Sequence, residues 1–300
     1  MGESIRWQPA IQKHNLMVIL MPTNVILLAA QRPGITDPLA IAHNVSHKCI
    51  IPIGGKPLIM HVLETLAHHP AVGDIGISIE RDGFAALAPV IAALGDAGTQ
   101  IRCIPSQLSI ADSVIAAITE MGDRPTMITT ADNALLTAVA IQEMANVLSS
   151  GADVAVGLTT KPAVLSTHPQ GQNRFYTFSD NHYSNCNLYG LSGAHALAAA
   201  EIFRGGGQFA KKIGRIIESF GVLNLLLLRS GMISLDGAMR RISKRIGLRV
   251  RPVVLTEGRN AIDVDNERTY QVVAKLLKQD ARHAGSLAWP ELDRLQSVRL

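Results

Sequence analysis

The chain of 300 residues is short of aromatics, charge and paired cysteines. Phe, Trp and Tyr together make up 4% of it, which argues against a single-stranded nucleic-acid binder built on stacking platforms. Charged residues reach only 17% while hydrophobic ones reach 47%, so the chain can bury a sizeable core and global disorder is excluded. Cys49, Cys103 and Cys186 have neither CxxC spacing nor histidines at zinc-finger distance, and read as reduced thiols of a cytoplasmic protein. No apolar run reaches the roughly 18 residues of a membrane span. The apolar stretch from Leu16 to Ala30 is broken by Pro22, Thr23 and Asn24. Cleavage after Ala30 would remove what reads as the first core strand, so no signal peptide is expected. There is no internal repeat, no GxGxxG and no GK[ST], so neither a dinucleotide fold nor a Walker NTPase is supported.

What is present is an alternation of strand and helix. Asn24 to Ala30 is a continuous apolar run of the kind found in strands covered on both faces. A polar loop follows to Lys48, then a short apolar piece at Ile50 to Ile53, a Gly54-Gly55 turn, and a helix led by Pro57 that runs to about His68. Strands are expected at Asp74 to Glu80, Ile101 to Ile104, Thr126 to Thr130 and Asp153 to Leu158, with helices at Phe84 to Leu94, Ala111 to Met121 and Val139 to Ser149 between them. The rhythm predicts an α/β, Rossmann-like three-layer fold with a mainly parallel, mixed sheet whose ligands sit at the carboxyl ends of the strands. Beyond residue 160 it changes. A hairpin-like addition at Arg174 to Ser179 and Ser184 to Leu191 precedes two amphipathic helices, one around Ile213 to Leu227 and one around Leu235 to Ile246. Strands at Leu248 to Leu255 and Ala261 to Val264 and a helix from Thr269 to Lys278 close the pattern. The domain organisation expected is an N-terminal extension at 1–20, one domain at 21–280 with a strand-plus-basic-helix insertion near 165–250, and a tail at 281–300.

Five segments carry chemistry. The first strand runs into Leu28-Ala29-Ala30-Gln31-Arg32-Pro33-Gly34, a loop whose amides can hold phosphates. Next come Lys48 and Gly54-Gly55-Lys56-Pro57-Leu58 opening an amphipathic helix. Ser109-Ile-Ala-Asp-Ser113-Val and Thr129-Thr-Ala-Asp132-Asn-Ala134-Leu-Leu-Thr follow, and Ala261-Ile-Asp263-Val-Asp265-Asn266-Glu-Arg-Thr-Tyr comes last. Aspartates at two strand ends and a lysine suit phosphate chemistry, because Mg²⁺ takes hard oxygen ligands from one or two carboxylates plus phosphate oxygens. Strict strand alternation would put Asp263 and Asp265 on one face, so spacing does not choose between them.

These segments, in this order, resemble the sugar-phosphate and MobA-like nucleotidyltransferases, with an LAAG-type loop, a lysine, a GKPL helix start, a D-x-P-L-L-T strand end and a late I-D-V-D-T-P-E-D. The likeness spans roughly residues 24 to 278 and is similar in kind to the cytidylyltransferases of isoprenoid and Kdo synthesis. It implies transfer of a nucleotidyl group from an NTP to a phosphorylated small-molecule acceptor, assisted by Mg²⁺. Lys48 and Asp132 would be catalytic, and Asp132 with Asp265 (favoured by the family pattern) or Asp263 would hold the metal. Ala29, Ala30, Gln31, Arg32, Gly34 and Ser113 would meet the nucleotide, and Lys56 and Asn187 the acceptor. The departures are Gln31 where glycine is common, Pro33 without an amide donor, Arg32 offset from the usual arginine, Ala134 for proline, and Asn266 for threonine. The phosphate cradle must therefore be built differently, or the site has decayed. A nucleotide-sugar glycosyltransferase and a non-catalytic, membrane-docked nucleotide binder are the alternatives. His43 and His47 have metal-like i,i+4 spacing, but no helical apolar pattern surrounds them.

The formal net charge of +4 is unevenly placed. Between Arg204 and Arg251 there are 11 Lys/Arg against 2 Asp/Glu, a net of +9 that leaves −5 elsewhere. Arg240, Arg241, Lys244 and Arg245 lie on the polar side of the second amphipathic helix. Such a segment reads as a solvated face, or as a surface for the phosphorylated acceptor or for an anionic membrane surface at the inner face of the membrane. No nucleic-acid module accompanies it, so no nucleic-acid partner is expected, and a homodimer is compatible with this reading.

Overall fold

A computed structural model describes residues 22–31, 34–96, 98–203 and 231–284. Strand β1 (Thr23–Leu28) is buried along nearly its whole length. Val25 and Leu27 join the core on one side of the sheet and Ile26 the core on the other, which is what a continuous apolar run achieves when helices cover both faces. Strands β4 (Val72–Ile79) and β6 (Thr126–Thr130) flank it in parallel, β5 (Ile101–Pro105) extends the sheet beyond β4, and β7 (Val154–Thr160) pairs in parallel with β10 (Val250–Leu255). The order of the large sheet is β10-β7-β9-β6-β1-β4-β5, with β8 (Tyr176–Thr177) attached to β9 (His182–Leu191).

The expected hairpin is present, with β8 antiparallel to β9, but β9 is a central strand of the sheet and not an addition to it. β9 runs antiparallel between β6 and β7 and so joins the two parallel halves. Its register against β7 slips between Val156 and Leu158, and opposite that slip Asn187 takes a left-handed φ of 46°. Asparagine tolerates that conformation better than most side chains.

Helices α2 (Leu58–Ala67), α3 (Gly83–Leu94), α5 (Ala138–Ser149) and α8 (Glu267–Ala284) cover one face, while α4 (Ile110–Met121) and α7 (Leu235–Ile246) cover the other. The three layers and the mainly parallel mixed sheet are those the sequence predicts. Two short helices escaped it: α1 (Pro38–Ala42), capped by Asp37, lies inside the polar loop, and α6 (Lys161–Thr167), capped by Thr160, follows β7. Gly54 and Gly55 turn a small hairpin of β2 (Pro52–Ile53) and β3 (Lys56–Pro57), both with positive φ as a tight two-residue turn requires. Pro57 ends that hairpin at the cap of α2, one residue before the helical position expected for it.

The segment after β10 is not the strand expected at Ala261 to Val264. Gly258–Ala261 forms a 3₁₀ turn instead. Asn260, 1% exposed, accepts the Thr137 amide at the start of α5 at 3.0 Å. The Val264 amide donates to the carbonyl of Asp132 at 3.1 Å rather than to a neighbouring strand. With no ladder there is no strict alternation, and Asp263 and Asp265 part company: Asp263 is 6% exposed, whereas the Asp265 side chain is 62% exposed. The extension at 1–20, the helix expected around Ile213 to Leu227, and Arg32 lie outside the described residues.

Gly258 sets the height of this segment. A Cβ there would sit 2.1 Å from the carbonyl oxygen of Ala163, a backbone atom with no rotamer to yield. Gly258→Ala is expected to destabilise the fold by about 1–3 kcal/mol, the usual range for overpacking. Urea unfolding measures it, with Gly95→Ala, whose Cβ would meet nothing within 4 Å, as the comparison for backbone strain alone.

Candidate active site

Lys48 opens a short 3₁₀ turn (Lys48–Ile50) at the end of the polar loop, and its ammonium reaches the carboxyl edge of the sheet. It lies 2.5 Å from Asp132 Oδ2, just beyond β6, and 3.7 Å from Asp265 Oδ1, ahead of α8. Residues 84 and 217 positions apart in the pairings Lys48–Asp132 and Lys48–Asp265 thus share one charge cluster. Burial alone would lower the Lys48 ammonium. The Asp132 carboxylate outweighs it, with help from Asp265, and holds the ammonium above its ordinary value.

Asp263 sits on the buried side of the same cluster. Its Oδ2 accepts the Asn187 side-chain amide at 2.6 Å. Burial, and then the neighbouring carboxylates of Asp132 and Asp265, push its carboxyl well above the usual range, with Lys48 the opposing charge. Asp265 is raised for the same first two reasons, burial and Asp132, and Lys48 pulls it back. Asp132 Oδ1 and Asp263 Oδ1 are both buried with no hydrogen-bond partner among the described residues. Two unpartnered oxygens between like charges suit a hard cation. No three His, Cys, Asp or Glu side chains among the described residues converge as a complete metal site. A pair of carboxylates sharing the ion with phosphate oxygens remains consistent with that arrangement.

The scaffold around the cluster is polar and specific. The left-handed Asn187 presents its amide to Asp263, while its Oδ1 accepts from Asn185 at 3.1 Å. Asn133, fully buried, donates to the Cys186 carbonyl at 3.0 Å and ties the end of β6 to β9. Thr269 Oγ1 accepts the amides of Asp265 and Asn266, and Asn266 Oδ1 accepts the Thr269 amide in return, a reciprocal cap that fixes the entry to α8. Sequence reasoning missed Asn133 and Thr269, although Asn133 beside Asp132 and Thr three positions after Asn266 were the available signals.

Other expected site residues are engaged elsewhere. Lys56 forms an ion pair with Glu64 on α2 and makes no contact with the cluster. Ser113 is buried, its hydroxyl accepting from the Gln107 amide at 2.8 Å and donating to the Ser109 carbonyl at 2.9 Å, so it shapes the turn into α4. The Ala29 amide completes the sheet by donating to Ser78 at 2.9 Å, and Ala30 is exposed at the edge. The Gln31 amide donates to the carboxylate of Glu80, while its side chain reaches the Ser46 carbonyl at 3.0 Å and accepts from the Asp37 amide at 3.3 Å. Gly34 sits in a turn with φ +72°. His43 packs against Tyr270 with the rings tilted by 43° and their centroids 4.6 Å apart, and His47 bonds Ser46, so the two do not form a metal pair.

A lysine and clustered carboxylates at the carboxyl edge of a mainly parallel α/β sheet suit phosphate chemistry. Residues 43–200 match the family of MobA-like NTP transferase domains, and the chain belongs to that family. It is therefore a transferase of the nucleotidyl class. Three solved structures share the fold. A hypothetical transferase from Thermus thermophilus is 22% identical, with a TM-score of 0.67 over 83% of this chain and 100% of that one. The 4-diphosphocytidyl-2C-methyl-D-erythritol synthase of Anaerococcus prevotii is 11% identical, with a TM-score of 0.55 over 86% and 98%. A CMP:2-keto-3-deoxy-manno-octonic acid synthetase complexed with CTP is 12% identical, with a TM-score of 0.52 over 86% and 99%. No curated protein matches the chain in sequence.

Asn187→Ala is expected to destabilise by about 1–3 kcal/mol, since it leaves a buried Asp263 oxygen without its donor. Asn187→Gly keeps the left-handed backbone at no steric cost and loses only the amide. Denaturant unfolding of the two separates the hydrogen bond from the backbone strain: Gly should fall between Ala and the native residue.

Proposed function

We propose that the protein moves an NMP group from an NTP to a phosphorylated small-molecule acceptor and releases pyrophosphate. The observation that carries this reading is the Lys48–Asp132–Asp265 cluster, with Asp263 behind it, at the carboxyl edge of the sheet. An ionised phosphate oxygen of the acceptor attacks the α-phosphorus. The new P–O bond forms as the bond from the α-phosphorus to the bridging oxygen breaks, and pyrophosphate leaves with that electron pair. The nucleophile is already ionised, so no general base is needed, and the barrier is one of charge repulsion and alignment.

In this reading Lys48 neutralises the triphosphate. Its pairing with Asp132 keeps it charged and aimed at the edge when no nucleotide is bound. Asp132 and Asp265, or Asp132 and Asp263, would hold Mg²⁺, and the unpartnered oxygens of Asp132 and Asp263 support that assignment. When bound, the ion would polarise the phosphate oxygens and shield their charge. Asn187 steadies Asp263, so we read it as a positioning residue on the acceptor side.

The reading extends to a cytoplasmic location, with the three cysteines unpaired. Among the described residues no helix is long and apolar enough to cross a membrane. The exposed Arg240, Arg241, Lys244 and Arg245 of α7 supply an anion-facing surface, towards either acceptor or lipid headgroups. The apolar side of α7, at Met239, Ile242 and Ile246, packs on the sheet, so any membrane contact would be electrostatic and weakened by salt.

A screen of four NTPs against pooled phosphorylated acceptors, read as pyrophosphate release, tests the reading. Lys48→Ala and Asp132→Ala are each expected to lower kcat by about 10²–10³-fold, as removing one preorganised electrostatic group does. Chelation should abolish release and added Mg²⁺ restore it. Unchanged release in both variants, with native circular dichroism, would refute the site.

A further inference from the structure

Beside the lysine–aspartate cluster, the carboxyl edge carries a second set of buried polar atoms that the proposed reaction leaves unused. Ser78 at the end of β4 and Thr130 at the end of β6 stand in register on either side of Leu28. Their hydroxyls are buried without partners among the described residues. Two residues beyond Ser78 comes Glu80. One of its carboxylate oxygens accepts the Gln31 amide, and the other, Oε2, is buried with no partner. A buried carboxylate oxygen with no donor is costly, and its retention needs an explanation.

Three features describe the missing donor. The first is place: Glu80 follows β4 and Asp132 follows β6, on opposite sides of β1. Two strand spacings amount to about 10 Å, a gap that a nucleoside 5′-phosphate bridges. The second is orientation, because the bond from the Gln31 amide fixes the carboxylate and leaves Oε2 as the free acceptor. The third is charge. A phosphate oxygen would be repelled by Glu80, whereas a neutral hydroxyl donor would be drawn to it.

We infer that Glu80 reads the sugar of the bound NTP, its Oε2 accepting a hydrogen bond from a ribose hydroxyl, and that it makes the enzyme selective for ribonucleotides. The inference rests on the nucleotidyltransferase reading above. Its test compares each of the four NTPs with its 2′,3′-dideoxy counterpart in the native protein, Glu80→Gln and Glu80→Ala. In the native protein, loss of the hydroxyls should lower kcat/KM about 10–100-fold, the range for a hydrogen bond to a charged group. In Glu80→Ala that discrimination should shrink to less than about threefold, with the loss falling on the NTP, as a cycle of coupled changes requires. Glu80→Gln keeps an acceptor for the Gln31 amide and should lie between.

Equal losses on NTP and dideoxy-NTP would mean that Glu80 only holds the loop, and tighter binding of both would mean that it only repels phosphate. Either result overturns the inference, as does a native protein that does not discriminate. The same comparison by calorimetry reads binding without turnover. Absence of pyrophosphate release from every NTP would sink the nucleotidyltransferase reading. Undiminished discrimination in a Glu80→Ala enzyme that still turns over would sink only this one.

Discussion

Asp132, Asp263 and Asp265 come together at one edge of the sheet, where burial and then the neighbouring carboxylates raise Asp263 and Asp265, and such a cluster calls for a counterion. Lys48 is that counterion in the free protein. Its ammonium contacts two of the carboxylates directly and lowers the charge felt by the third. The geometry of the site follows from this balance. The loop from Gln31 to Lys48 must bring the lysine back to the end of β6, and the chain before α8 must return to the same point some 130 residues after Asp132. A cluster assembled this way is short of positive charge, which suits a site that receives cations together with phosphates.

Backbone hydrogen bonds make the convergence possible. The amide of Val264 on the Asp132 carbonyl, the close approach of Gly258 to Ala163, and the Asn260 bond to Thr137 all act on the segment after β10. They lift Asp263 into the interior and leave Asp265 at the surface. β9 contributes from the other side. It enters the sheet antiparallel, slips register opposite β7, and at the slip turns Asn187 towards Asp263. Bulges next to functional sites commonly re-aim a side chain in this way.

The loop after β1 is arranged differently from a simple amide cradle. Ala29 and Gln31 already donate their amides, to Ser78 and to Glu80, and the Gln31 side chain bridges Ser46 and Asp37. Glutamine in place of glycine therefore has a structural role, as a brace between the loop and its own far end. The basic excess is likewise partitioned. α7 turns its apolar side to the sheet and its arginines and lysine outward, so the positive charge between residues 231 and 251 is carried on a packed, fixed surface.

The layers and most of the described strand and long-helix positions were legible in the sequence, because apolar runs and 3.6-residue periodicity report local burial directly. So were Lys48, Asp132 and the late aspartates, as residue types placed at the ends of elements. Only the tertiary structure decided which of them meet. It separated Asp263 from Asp265, which look equivalent by alternation, because the Val264 amide bonds across the chain instead of into a ladder. It took Lys56 to Glu64 and Ser113 into its own helix turn, since nearby partners were available to both. It also put β9 in the middle of the sheet and Glu80 beside the Gln31 amide. Periodicity encodes which side of an element is buried, whereas pairing between elements depends on contacts far apart in the chain, and no local pattern carries that information.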